Sequence, residues 1–242
     1  MIDVSILLPS LREEAAAHFI DWINCQRVPY NYEIVLIAPF KIEKPNVVWL
    51  EDTGPHNGSV RPINDGYAVS RGQFISVSSD DAPYDVGWWT IIDFIKKKLD
   101  PRRRFRIAGY DKVYMRFFKY IYMHPTLRKL PGLTRFHGHP RIHGVYIPGW
   151  FCADRATVEL LGGAPFRKEF LAHCGDTDVG LKLHWAGEPI QFCRSARILC
   201  SGNIDDGLHA NNVSKYEAHD IEVLNSIWGD IYGEYRDGRK AR

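Results

Sequence analysis

Short apolar runs alternate with helix-period segments through the first hundred residues, and this alternation limits the fold more than any other feature. "VSILLP" (Val4–Pro9), "EIVLI" (33–37), "VVWL" (47–50) and "FISV" (Phe74–Val77) read as buried strands. Between them, Glu13–Asn24 sets Ala17, Phe19, Ile20 and Ile23 at helical spacing. Residues 62–69 form a second helix that opens on Pro62, a residue suited to a first turn. Strand and helix in turn require a mostly parallel sheet with helices on its faces. The expected fold class is therefore α/β, with a Rossmann-like sheet.

The rest of the chain is read the same way. Residues 86–98 make a helix with Trp88, Ile91, Ile92 and Ile95 apolar. Residues 104–115 are extended, and 116–139 are basic and aromatic without a clear period. A strand is expected at 145–147, then a helix at Arg155–Leu161 stopped by Gly162 and Gly163. A further helix at 176–186 starts on Asp and closes at Gly187. Strands at 190–193 and 197–199 and a helix at 213–231 follow. There is no internal repeat and no linker, so one domain is expected over residues 1–242.

Composition, 45% hydrophobic and 25% charged, is that of a globular protein. No apolar run approaches the ~20 residues that span a bilayer. The five cysteines are odd in number and none are two or three apart. That argues against a disulfide framework and against a cysteine zinc site. The opening "MIDVSILLPSLREE" has no basic lead before its apolar stretch and reads as a core strand rather than a signal peptide. Reduced thiols and a cytoplasmic protein are the expectation.

The strand at Phe74–Val77 ends in "SSDDAP", and Pro83 forbids a regular continuation. Carboxylates placed there, Asp80 and Asp81, stand where open α/β sheets bind ligands. A polar turn would use the same residues, so the case for chemistry depends on other motifs. "VSILLPSLREE" is a strand, a polar turn and a helix. "RPINDGYAVSRGQFISVSSDD" is a helix, Gly72, a strand and acids. "IPGWFCADRATVELLGG" is a strand leading into a helix, and "GDTDVGLKLHWAG" is an acid pair opening a helix.

In this order the four stretches resemble the family 2 glycosyltransferases, inverting enzymes of GT-A fold that use nucleotide-diphosphate sugars. The resemblance spans residues 4–187. It implies a nucleotide-sugar half at 1–100 and an acceptor half at 101–242. It also implies a divalent cation, Mn²⁺ or Mg²⁺, that bridges the donor diphosphate, with Asp81 as its ligand and Asp80 next. Ser79 stands where the usual Asp-x-Asp motif has its first acid. A dication offsets charge gathering on the departing diphosphate. His209 is the counterpart of a late histidine ligand. The resemblance puts donor contacts on Pro9, Leu11, Glu13, Arg61, Asn64 and Asp80. Where the family has a nucleobase-binding acid, this chain has Ala38 and Pro39, leaving Glu13, Glu51 and Asp52 as nearest candidates. The general base maps to Asp176, with Asp178 beside it, and Gly175 replaces the usual Glu. A carboxylate is needed because a hydroxyl is a poor nucleophile until its proton has a destination.

The acceptor side is less defined. Residues 96–141 carry a formal +12 and the remainder −10. Phe105, Tyr110, Tyr114, Phe117, Phe118, Tyr120, Tyr122 and Phe136 are interleaved with these cations. Such a segment suits a polysaccharide or lipid-linked acceptor at an anionic membrane surface. It equally suits DNA carrying a hydroxymethylated base, or a solvated face over core aromatics. Arg102, Arg103 and Arg104 are its densest cations, and Trp150 is expected in the acceptor wall. His137, His139 and His143 lack a fourth ligand for zinc and are assigned to an acceptor-side loop. A catalytically inactive nucleotide- or glycan-binding domain is the non-enzyme alternative, and the presence of both Asp81 and Asp176 weighs against it. A nucleotidyltransferase would want glycines after the first strand, which "PSLREEAAAH" lacks.

Overall fold

The computed structural model describes residues 1–54, 58–115, 134–136, 141–142, 145–201 and 208–229, with backbone only at 113–115, 134–136, 141–142, 200–201 and 208–214. The first half reads β1 (Val4–Pro9), α1 (Glu13–Asn24), β2 (Tyr32–Ala38), β3 (Val47–Glu51), α2 (Val60–Val69), β4 (Phe74–Val77) and α3 (Thr90–Lys97). The second half reads β5 (Ile107–Met115), β6 (Thr134–Phe136), β7 (Arg141–Ile142), β8 (Val145–Tyr146), β9 (Phe151–Asp154), α4 (Arg155–Leu161), α5 (Gly175–Trp185), β10 (Gln191–Ser201) and α6 (Leu208–Trp228).

The main sheet has the order β10-β5-β9-β4-β1-β2-β3, and β6 adds to β5. β1 pairs in parallel with both β2 and β4, β2 with β3, and β10 with β5. β9 alone of the seven runs against its neighbours, pairing antiparallel with β4 and with β5. β7 and β8 form a separate two-stranded ribbon. The α/β expectation is thus met, with a mostly parallel mixed sheet.

Side chains alternate across the sheet and build two cores. Val4, Ile6 and Leu8 join Ile34, Leu36 and the α1 and α3 residues Phe19, Ile20, Ile23, Ile91 and Ile95 on one face. Leu7, Val35 and Ile37 join residues of α2, α4, α5 and α6 on the other. Helices on both faces explain why the strands read as continuous apolar runs.

The differences from the sequence are local. The helix expected at 86–98 starts only at Thr90. The two strands expected at 190–193 and 197–199 are one strand, β10, with a register shift between Cys193 and Arg197. The strand read at the head of "IPGWFCADRATVELLGG" falls at Phe151–Asp154, after the short β8 rather than continuing it. It has four residues and runs straight into α4, whose N-cap is Asp154, accepting from the Thr157 N–H at 2.8 Å. Cys25, Cys152, Cys174 and Cys193 are free thiols. Among the described residues, no helix is long and apolar enough to cross a membrane.

Candidate functional site

The chain turns back at β1: β2 and β3 lie on one side of it and β4 on the other. The crevice at such a reversal, outside the carboxyl ends of the strands, is where open α/β sheets take ligands. The loop Ser10–Leu11–Arg12 follows β1 here, and Ser78–Asp81 follows β4. Asp80 joins the two: Ser10 Oγ donates to its Oδ2 at 2.6 Å and Arg12 Nη1 to its Oδ1 at 2.9 Å. Asp80 is buried, and desolvation lifts its pKa above the ordinary carboxyl value despite Ser10 and Arg12. Both its oxygens are therefore used within the fold. Asp81 is half-buried, and Ser79 Oγ donates to its Oδ1 at 2.5 Å.

From Ser79 the contacts run on toward the second half of the chain. Trp150 Nε1–H donates to Ser79 Oγ at 3.0 Å. Lys112, on β5, places its Nζ 4.6 Å from the centroid of a Trp150 ring. A Cβ added to Gly149 would lie 2.7 Å from that Nζ and 4.0 Å from Asp176 Oδ2. Gly149 has φ +63°, a backbone that strains any larger residue, and a side chain there would also have to displace the Lys112 ammonium. Asp81, Ser79, Trp150, Lys112 and Asp176 thus form one continuous set, drawn from the end of β4, the approach to β9, β5 and the start of α5.

Asp176 stands in the first turn of α5, where the helix dipole favours an anion. Cys174 immediately before the helix has φ +61°, an uncommon conformation for a non-glycine residue and one concentrated at functional sites. A buried carboxylate fixes this approach. Asp220 of α6, fully buried, accepts from the N–H groups of Leu171, Ala172 and His173 at 2.9, 2.8 and 2.6 Å. A Cβ at Gly175 would lie 2.9 Å from the Phe166 ring, so the Glu common at this position in the resembling family has no room beside Phe166. Desolvation raises the Asp176 pKa above the ordinary carboxyl value, with Lys112 the largest opposing influence.

The remaining expected site residues fall elsewhere. Asp178 turns away from Asp176 and is almost fully buried. Its carboxylate accepts from Arg167 Nε at 2.9 and 3.0 Å and from Trp228 Nε1 at 2.8 Å. Asn64 spends both its amide groups on Phe166, at 2.9 and 3.1 Å. Arg61 Nη2 donates to buried Asp52 at 2.6 Å, which also accepts from Gly54 N–H at 3.3 Å. Pro9 ends β1, Leu11 lies in the loop after it, and Glu13 is exposed at the start of α1, all on the crevice side.

Arg102, Arg103 and Arg104 are a correction. They precede β5, which runs parallel to β4, so they sit at the amino edge of the sheet, opposite Asp81. Arg103 Nη2 donates to the carbonyls of Glu188 and Pro189 at 2.5 and 2.9 Å. Phe105 and Tyr110 are core residues. The rest of the interleaved aromatics, His137, His139, His143 and the side chain of His209 lie outside the described residues and side chains.

Among the described residues, Asp81 is the one that fits a dication. Among the described residues no three His, Cys, Asp or Glu side chains gather into a metal cage. One carboxylate, Asp81, with a hydroxyl beside it suits an ion that takes most of its ligands from water and substrate phosphates, the usual mode for Mg²⁺ and similar hard ions.

No protein-family model matches the chain, and no curated protein matches it in sequence. Its fold does have solved counterparts. The chain is similar to GalNAc-T7, solved with UDP, GalNAc and Mn²⁺, at a TM-score of 0.61 and 11% identity, over 88% of this chain and 48% of that one. It is also similar to the mannosyltransferase PcManGT from Pyrobaculum calidifontis, solved with GDP-Man and Mn²⁺, at a TM-score of 0.56 and 15% identity, over 93% of this chain and 66% of that one. The chain therefore spans less than two thirds of the length of either. The fold is that of the GT-A glycosyltransferases.

Proposed function

We propose that the protein is a metal-dependent glycosyltransferase of the family 2 type, moving a sugar with inversion from a nucleotide-diphosphate sugar to an acceptor hydroxyl. The observation that carries this is the set joining Asp81 to Asp176. Two acids far apart in sequence, each at an element end, share one crevice edge through Ser79, Trp150 and Lys112. The solved counterparts hold UDP or GDP-Man together with Mn²⁺, which agrees with a nucleotide-sugar donor here.

Asp81 would hold the cation, whose role when bound is to offset charge on the departing diphosphate. Asp176 takes the proton of the acceptor hydroxyl as that oxygen bonds to the anomeric carbon. The bond from that carbon to the diphosphate breaks in the same displacement, and the nucleoside diphosphate leaves. Trp150 offers a ring face against which a sugar packs. Asp178 and Asp80 hold the fold around the site and do not enter the chemistry.

The test is a screen of nucleotide sugars by thermal shift with Mn²⁺ and with EDTA. A true donor at a hundred times its dissociation constant stabilises by about 2.7 kcal/mol. A stabilisation that survives EDTA unchanged rules out the metal-dependent reading.

A further inference from the structure

In the sequence Lys112 is one cation among many in residues 96–141. In the fold it is 9% exposed, its Nζ stands over Trp150, and it occupies the space that a side chain at Gly149 would take. Among the described residues its ammonium makes neither an ion pair nor a side-chain hydrogen bond. A buried ammonium is costly unless an opposite charge is near. The carboxylate across Gly149 is Asp176.

Building on the assignment of Asp176 as the base, we propose that Lys112 is a positioning residue that holds Asp176 in its ionised, proton-accepting form, with the Trp150 ring screening the ammonium from water. A carboxyl that is already protonated cannot accept the acceptor's proton, so the residue controlling its charge controls the reaction. Burial works against ionisation of Asp176, and Lys112 is first among the influences that oppose burial, ahead of the Thr177 N–H and His173. Among the described residues, the charged or titratable groups facing Asp176 are Lys112 from β5 and His173 and Cys174 from the approach to α5. Burial pushes the Cys174 thiol up to about 12, so it stays neutral near pH 7. An imidazole carries charge only toward acid. Of the three, Lys112 does most to favour the charged carboxylate.

The Trp150 ring has two functions in this arrangement. Its face covers the ammonium, where a desolvated cation–π contact is strongest. Its indole N–H reaches Ser79, which holds Asp81. One side chain therefore spaces the base cluster from the cation ligand.

The test uses ligand-free protein labelled with ¹³C at aspartate carboxyls. The Asp176 signal is the one missing from Asp176→Asn. In Lys112→Met its titration midpoint moves to higher pH, and in Lys112→Arg it stays near the wild-type value. His173→Gln in each background removes the imidazole's share. Unmoved signals from buried Asp178 and Asp220 show that the variant has folded, and Lys112→Gln replaces Lys112→Met if it has not. An identical Asp176 midpoint in wild type and in the folded neutral variant overturns the proposal. With a donor from the thermal-shift screen, the acid limb of kcat/KM rises in step with the NMR midpoint. A midpoint that moves while the acid limb stays fixed upholds the Lys112–Asp176 pairing and removes Asp176 as the base.

Discussion

Arg12 reaches across the crevice between β1 and β4 and donates to Asp80 Oδ1 at 2.9 Å. The contact separates the roles of two adjacent acids. Asp80 is spent on the loop after β1, with Ser10 on its other oxygen. Asp81, whose Oδ1 accepts from Ser79, is the acid proposed to hold the cation. Asp80→Ala should therefore cost stability, about 2–3 kcal/mol for loss of a largely buried charged pair. Asp81→Asn should leave the melting temperature of the free protein nearly unchanged and abolish the Mn²⁺-dependent shift given by a nucleotide sugar. Thermal unfolding of the two variants, with and without donor, checks both halves.

Asp176→Asn should lower turnover by roughly 10²–10⁴-fold with donor affinity little changed. Single-turnover rates beside a donor titration measure the two separately. Near-normal turnover would exclude Asp176 as the base.

The same variant should unfold at a higher temperature than wild type near neutral pH. A carboxyl whose pKa is raised in the fold destabilises the fold above its unfolded-state value, and does so fully once pH exceeds the raised value. Below the unfolded-state value the penalty is absent, because both states are protonated. The advantage of Asp176→Asn should therefore shrink as pH falls through the folded pKa, which melting curves across pH will show.

Asp220→Ala removes the acceptor for three backbone N–H groups leading to Cys174 and Asp176. Leaving them unpaired in a buried place should cost about 3 kcal/mol or more. Turnover should fall even at temperatures where the variant is folded, because the approach to α5 loses its anchor. Hydrogen exchange at Leu171, Ala172 and His173 reports the loosening directly.

Transfer to the acceptor should invert the anomeric centre, an α-linked donor giving a β-linked product. The anomeric proton coupling in the product NMR spectrum decides it. Retention would contradict the single-displacement scheme with Asp176 as its base.

Much of the fold was open to reading because β1, β2 and β4 are covered on both faces and so appear as unbroken apolar runs. The bounds of β9 were blurred because four residues of "FCAD" merge into the helix that Asp154 caps. Asp81 and Asp176 were visible as acids at element ends. Lys112 was not, since a count of charges has no direction. Yet Ala108, Tyr110 and Lys112 alternate along β5 and all are buried, which marks that lysine apart from the other cations around it. Asp220 had a similar signal: it sits four residues from Tyr216 and from Leu224, both buried, so an acid interrupts the apolar stripe of α6. Arg102–Arg104 misled for the opposite reason, because they are dense in sequence but belong to the far edge of the sheet.

The antiparallel placement of β9 has a consequence for how the chain matures. On one side β4 pairs with β1, which is made before it; on the other it pairs with β9, which leaves the ribosome long afterwards. Until then the nascent sheet exposes the open edge of β4, a row of unpaired amides and carbonyls that invites pairing with other chains. A truncated product ending near residue 100 would keep that edge permanently, and should self-associate where the intact chain does not. The seam also ties completion of the crevice beside Asp81 to the arrival of Trp150, so the two halves of the proposed site form together rather than in succession.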